Sequence, residues 1–181
     1  MIDTDRRKKL AFHLRQLATG QLSNDDFEEK VMDDITKGWL PEQYYRSNDC
    51  KTDDKIIQSI LEYSWLLYSD LMNHKLTGKY ELPRDALKEI ARFILFLHSD
   101  LEYEWKYVDI TNPLVKLKIK DLIKSIMTLG RHYREIKEQR ENEFNEMRKE
   151  GDIEYWPFKT KSDYKKQLER QPYLKGNDFP T

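Results

Sequence analysis

The sequence predicts an all-α fold, and three observations lead to that prediction. The 181 residues include only six glycines and six prolines, below the averages of roughly 7% and 5% of a chain. Charged residues make up 36% of the chain and hydrophobic residues 38%. Apolar side chains recur every three or four residues, which is the period of an amphipathic helix. We expect a bundle of five main helices, over about residues 5–19, 24–36, 53–76, 84–102 and 113–150, with a short C-terminal helix at 162–170 and a docked aromatic tail.

Capping residues mark the first two helices. Leu10, Leu14 and Leu17 give the first helix one apolar stripe. Gly20 stands where a left-handed residue commonly ends a helix. Ser23 and Asp26 then form the S-x-x-D pattern of a capping box. These signals predict two helices separated by a short turn.

The third and fourth helices carry most of the predicted core. Apolar residues line one face from 56 to 71, Thr52 is the predicted cap, and the pattern stops before Gly78. Pro83 suits the first position of the fourth helix. Residues 87–101 of that helix are apolar on more than one side, which is typical of a central helix.

The fifth helix is the longest predicted element. It opens at Pro113 and ends at Gly151, and residues 131–150 hold six acids and six bases. Charges spaced three or four residues apart favour a solvated, self-paired helix. Whether its second half projects from the body stays open at this point.

The net charge of −1 conceals an asymmetry along the chain. Residues 1–110 hold 21 acids and 16 bases, whereas residues 111–181 hold 12 acids and 16 bases. We interpret this as two halves that pack together and partly neutralise each other, with a basic surface for an acidic partner as the alternative. We expect one helical domain over 1–181, with disorder an option for the tail at 171–181.

Composition also indicates a compartment. Cys50 is the single cysteine, so the chain has no internal disulfide, which fits a reducing environment. The longest apolar run is five residues, at 93–97, and no apolar stretch follows the basic residues near the start. The expected location is the cytoplasm, with no membrane association.

Two pairs of residues predict a metal site. Asp70 and His74 are four residues apart, as are Asp100 and Glu104, and each pair begins in a Ser-Asp-Leu segment. Residues four apart share one face of a helix, and two such pairs on neighbouring helices resemble the ligand sets of di-metal bundles. Structural polar contacts near helix ends are the alternative, and we favour it because no Glu-x-x-His motif accompanies the pairs.

The sequence offers no candidate catalytic residue and no cofactor motif. It contains no nucleophile elbow, P-loop or dinucleotide fingerprint. Lys116, Lys120 and Lys124 lie on one face of the fifth helix and could contact a phosphate backbone. A solvated helix face is the interpretation that we prefer, because Asp121 interrupts the row and nearby acids dominate the second half.

Two aromatic segments are the richest local feature. The candidate interaction residues are Tyr103, Trp105, Tyr107, Tyr155, Trp156 and Phe158. Exposed Trp and Tyr side chains are typical anchors of protein interfaces. The alternative, which we favour, is that the two segments cover the end of the bundle and pack against each other.

Four sequence segments carry a resemblance to a known family. They are YSDL at 68–71, KLTGKY at 75–80, ILFLHSDLEYEW at 94–105 and YWPF at 155–158. Together they resemble a family of small uncharacterised bacterial helical proteins with no assigned activity. The resemblance implies a bacterial cytosolic helical protein and transfers no catalytic residue. The chain has Lys106 where that family often has proline.

These observations favour a non-enzymatic protein-binding module, of an accessory, regulatory or toxin-neutralising kind, that binds another protein or associates with itself. A metal-dependent enzyme and a nucleic-acid-binding protein remain the two alternatives.

Overall fold

The computed structural model describes residues 1–105 and 145–171, together with Glu138 and Asn142. The fold is all-α, as the sequence predicts. The α-helices are α1 (Thr4–Ala18), α2 (Asn24–Asp34), α3 (Pro41–Tyr44), α4 (Asn48–Thr52), α5 (Lys55–Ser64), α6 (Arg84–Leu97) and α7 (Lys161–Arg170). Two 3₁₀ turns lie at Gly78–Tyr80 and Ile153–Tyr155. The described residues include no helix that is both long and apolar enough to cross a membrane.

The core lies around α1. This helix packs against α2, α5 and α6, and α7 covers the outer side of α6. The apolar faces predicted from the sequence are buried, among them Leu10, Leu14, Leu17, Phe27, Val31, Ile56, Ile60, Ile90, Phe93, Ile94 and Leu97. Burial of this apolar area is the main stabilising contribution to the bundle.

The predicted Gly20 end of the first helix and the predicted capping box of the second are confirmed, and Asp3 caps the start of the first helix. The Asp3 side chain accepts a hydrogen bond from the backbone of Arg6, and Gly20 has a φ of 68°. Ser23 and Asp26 bond reciprocally in a complete capping box. The α1–α2 turn is therefore determined by its local sequence.

The third helix is shorter than predicted. The sequence indicates a helix over 53–76, but α5 ends at Ser64 and residues 65–77 form an irregular loop. The Ser64 hydroxyl donates to the carbonyl of Ile60, and the next backbone bonds are of the tighter i+3 type. Trp65 and Tyr68 then turn inward to stack edge-on against Phe27 of α2. Tertiary packing of these rings thus overrides the helical period.

The fourth helix also ends early, at Leu97 rather than at residue 102. Ser99 ends it, because both its amide and its hydroxyl bond back to the carbonyl of Phe96. Of the predicted fifth helix, residues 145–150, Glu138 and Asn142 are helical, and Gly151 follows the last helical residue. The remainder of that prediction, including whether it projects, lies outside the described residues, as does the tail from residue 172.

Arg7 is a fully buried charge that joins three elements. Its Nε lies 2.6 Å from Oδ2 of Asp54, and its Nη2 lies 3.1 Å from Oδ1, which makes a bidentate pair. Its Nη1 donates to the carbonyls of Ser99 and Leu101, at 3.2 and 2.8 Å. The guanidinium also lies 5.4 Å from the centre of the Phe96 ring. Arg7 therefore ties α1 to the start of α5 and to the chain that follows α6.

A second network lies beside the first. Arg6 Nη1 is 2.8 Å from Oδ2 of Asp53, and the hydroxyl of Tyr44 donates to the same carboxylate at 2.9 Å. Lys37 Nζ lies 2.9 Å from Asp53 Oδ1. Burial alone would raise the pKa of Asp53, but the hydrogen bonds from Lys37, Tyr44 and Arg6 outweigh it, and the pKa lies below its ordinary value.

We predict that Arg7→Ala lowers the free energy of unfolding by about 3–5 kcal/mol, because it leaves the buried Asp54 carboxylate without its partner. Urea denaturation followed by circular dichroism measures this loss. Arg84→Ala, at the exposed start of α6, is the matched control and should change stability by less than about 0.5 kcal/mol. Equal effects of the two substitutions would contradict the role of Arg7.

We also predict that the protein loses stability in acid because Asp53 becomes protonated. Its lowered pKa stabilises the fold above the ordinary pKa of about 3.9, and this stabilisation disappears as the pH falls through the lower pKa of the folded state. Asp53→Asn should therefore be less stable than the wild type at neutral pH and show a shallower loss below about pH 4. Denaturation at a series of pH values measures both curves, and parallel curves would contradict the prediction.

Candidate functional site

The four residues of the predicted metal site are not brought together. Asp70 and His74 lie in the irregular loop after α5, so they do not share a helical face. Asp100 and Glu104 lie in the non-helical chain after α6. Within 1–105 and 145–171, no group of three or more His, Cys, Asp or Glu side chains is arranged to hold a metal ion. The predicted site is wrong because both helices end before its residues.

The aromatic segments pack against each other, as the favoured interpretation has it. Trp105, Trp156 and Phe158 are at most 5% exposed. Trp156 Nε1 donates to the hydroxyl of Tyr103 at 2.9 Å, and Trp105 Nε1 donates to the carbonyl of Pro157 at 3.1 Å. These rings therefore close the end of the bundle, and their role as interaction residues stays a prediction.

The half-buried Tyr155 stacks against Tyr164 of α7, at 5.4 Å between ring centres. Tyr107 and the row formed by Lys116, Lys120 and Lys124 lie outside the described residues. The proposed nucleic-acid contacts of that row therefore stay a prediction.

The loop of residues 65–77, which we call the α5–α6 loop, combines a defined backbone with exposed apolar side chains. Loops of this length within a compact domain are commonly functional. Leu71 is 92% exposed, Met72 is 55% exposed and Leu66 is 40% exposed. Burying an apolar side chain that is almost fully solvated lowers the free energy, so such a side chain favours a contact.

Hydrogen bonds to Asn24 of α2 hold the backbone of this loop at Met72 and His74. Asn24 at the start of α2 donates through Nδ2 to the carbonyl of Met72 at 3.2 Å, and its Oδ1 accepts from the His74 amide at 2.7 Å. The Asn24 amide also donates to the carbonyl of His74 at 3.0 Å. Three bonds to one asparagine therefore fix the backbone on either side of Asn73.

Further contacts hold the two ends of the loop. Tyr68 donates to Glu28 at 3.2 Å, and Trp65 Nε1 donates to the hydroxyl of Tyr45 at 2.9 Å. Lys75 forms an isolated β-bridge with Ser23. The apolar tip thus stands on a base whose polar groups are bonded to the body of the protein.

Three carboxylates lie beside this tip, and Lys75 of the same loop adds a positive charge near Asp26. Glu28 on α2 is partly buried next to Asp70 of the loop and Asp25 of the preceding turn of α2. Burial raises the pKa of Glu28, and the negative charges of Asp70 and Asp25 raise it further, while the bond from Tyr68 opposes them. In the part of the chain that the structure describes, none of these three carboxylates forms an ion pair.

A second exposed face, of the opposite charge, lies on α1. Lys8, Phe12 and Arg15 follow one another at helical spacing and are all exposed, Phe12 by 58%. The pKa of the His98 imidazole lies below its ordinary value. Partial burial is the larger cause, and the positive charges of Lys8 and Arg15 add to it. Neither Lys8 nor Arg15 is ion-paired among the described residues.

A polar cavity of about 300 Å³ lies beside the buried arginine pairs. Its walls include Arg7, Asp53 and Asp54, whose charged groups are already bonded, Arg7 to Asp54 and Asp53 to Arg6. Cys50 is buried near this region, and burial, followed by the charges of Asp53 and Glu62, raises the pKa of its thiol. A raised pKa disfavours the nucleophilic thiolate.

These features had only partial signals in the sequence. Asn24 directly follows the Ser23 cap, which indicates a first-turn residue but not the loop that it holds. Leu71 belongs to the apolar stripe predicted for the third helix, so its solvent exposure was hidden by the expected helical period. Comparisons with known proteins add no guide here: no family model, curated protein or solved structure matches the chain.

We predict that Asn24→Ala loosens the α5–α6 loop, because the carbonyl of Met72 and the amide of His74 each lose their side-chain partner. Native-state hydrogen exchange should show faster exchange of the His74 amide, together with a loss of roughly 1–3 kcal/mol in the free energy of unfolding. Asn73→Ala, at an exposed loop position, is the control and should leave both quantities near the wild type. Unchanged exchange at His74 in Asn24→Ala would contradict this assignment.

Proposed function

We propose that this protein is a non-enzymatic protein-binding module of the bacterial cytoplasm, acting as an accessory, regulatory or toxin-neutralising protein. The observation that carries the proposal is the α5–α6 loop, where Leu71 and Met72 are exposed on a backbone held by Asn24. The cytoplasmic and bacterial parts of the proposal come from the single cysteine and from the family resemblance.

Preorganisation is the physical support for this role. A loop whose backbone is already bonded loses little conformational freedom when a partner binds. Burying a leucine or methionine side chain contributes roughly 1.5–3 kcal/mol. Met72 adds adaptability, because the flexible thioether side chain fits irregular surfaces. The loop therefore combines a fixed frame with apolar contacts of adjustable shape.

Charge supports specificity at the same surface. Asp25 and Asp70 both repel the Glu28 carboxylate beside the apolar tip, and a cationic partner would relieve that repulsion. Opposite charges also steer association and make its rate sensitive to salt. A partner of this loop should therefore present basic groups around an apolar patch.

The nucleic-acid alternative rests on Lys116, Lys120 and Lys124, for which a gel-shift assay with and without added salt is the direct test. The metal-dependent alternative has no support from the positions of Asp70, His74, Asp100 and Glu104. Neither alternative has an observation in its favour comparable to the loop.

We predict that the double variant Leu71→Ser/Met72→Ser weakens partner binding at least about tenfold, because the apolar contacts at the loop tip are removed. The tagged wild-type chain serves as bait in its native cells, and calorimetry with the purified partner measures the affinity. Leu40→Ser removes another exposed apolar side chain, 54% exposed, from the segment between α2 and α3 and is the matched control.

Two results would contradict the proposal. One is a specific partner that binds the loop variant and the wild type equally well. The other is a wild-type chain that captures no protein and does not associate with itself across the accessible concentration range.

A further inference from the structure

We infer that copies of this chain associate head to tail, with the basic face of α1 in one copy docked on the acidic α5–α6 loop surface of the next. The basic face is formed by Lys8, Phe12 and Arg15, and the loop surface is formed by Asp25, Glu28, Asp70, Leu71 and Met72. This inference names a partner for the proposed function and rests on it.

The first argument is charge complementarity. Lys8 and Arg15 lie close enough to the His98 imidazole to disfavour its charged form, which marks a local excess of positive charge. Asp70 and Asp25 have the corresponding effect on Glu28, which marks an excess of negative charge. The two surfaces carry opposite charges, and neither set of charges is ion-paired within the described chain, so contact between the two surfaces is electrostatically favourable.

The second argument is that each charged surface has an apolar centre. Phe12 is 58% exposed between Lys8 and Arg15 on the α1 face. Leu71 and Met72 are 92% and 55% exposed beside the carboxylates of the loop surface. An aromatic ring against a leucine and a methionine is a favourable apolar contact, and methionine sulfur adds attraction toward aromatic rings. Apolar contact and charge therefore favour the same docking arrangement.

The third argument is topological. The two surfaces share no residue, since one belongs to α1 and the other to α2 and the α5–α6 loop. One copy can therefore engage a neighbour on each surface. A contact between two different surfaces is heterologous, and it continues into longer assemblies unless rotation closes a ring.

The test begins with the wild-type chain. Sedimentation velocity and light scattering should show a mean mass that rises with protein concentration at low salt. The association should fall by at least about tenfold when the ionic strength rises from about 0.1 M to about 1 M, because the Debye length shrinks from about 10 Å to about 3 Å. A wild-type chain that stays monomeric under all these conditions overturns the inference.

Variants of each surface make the test specific. Arg15→Glu reverses a charge on the α1 face, and Leu71→Ser/Met72→Ser removes the apolar centre of the loop surface. Each variant alone should associate at least about tenfold more weakly than the wild type. Lys55→Glu is the control for charge reversal at an exposed site on α5. Circular dichroism and thermal melting check that all variants are folded.

The decisive measurement is the mixture of the two variants. The intact loop surface of Arg15→Glu should bind the intact α1 face of Leu71→Ser/Met72→Ser, so the mixture should form a one-to-one dimer that does not grow. Association of either variant alone at wild-type strength, or a mixture without dimer, overturns the head-to-tail arrangement.

The two proposals fail in different ways. If the chain is monomeric but binds a foreign protein through Leu71 and Met72, the self-association is wrong and the protein-binding function stands. If neither a foreign partner nor a second copy binds the loop, both are wrong.

Discussion

The buried pair of Arg7 and Asp54 is the constraint on which the rest of the structure depends. A guanidinium without solvent exposure is tolerated only when its donors are bonded, and here a carboxylate and two backbone carbonyls bond them. Those partners come from the start of α5 and from the chain after α6. The positions of three elements are therefore determined together, and the apolar core between them forms in one arrangement.

Features that depend on residues close together in the sequence could be predicted, and features that depend on residues far apart in the sequence could not. Local signals were dependable: the Ser23–Asp26 box and the left-handed Gly20 both stand where the pattern predicts them. The apolar faces of α1 and α6 were also identified, since their period is that of a helix. The helix ends at Ser64 and Leu97 were not, because ring contacts of Trp65 with α2 and local hydrogen bonds from Ser99 to Phe96 interrupt a pattern that otherwise continues.

The candidate site was harder to predict for the same reason. An exposed Leu71 looks like a core residue as long as the helix is expected to continue through it. No local signal marks Arg7 as buried, since its partner Asp54 lies 47 positions away in the sequence. Trp105 and Trp156 close the end of the bundle, which is the interpretation that the sequence favoured over an exposed interface. Sequence period describes a helix face well, but it does not show which long-range partner covers that face.

The reach of Arg7 along the chain also bears on how the protein emerges during synthesis. Its bonds span 47 residues to Asp54 and 94 residues to Leu101. Before residue 101 has been synthesised, the Arg7 guanidinium lacks one of its acceptors, the carbonyl of Leu101. Burying Arg7 at that stage would leave a donor unbonded, which is unfavourable. The N-terminal helices consequently have no reason to close over Arg7 early. We therefore expect Arg7 to become buried only after residue 101 has been synthesised.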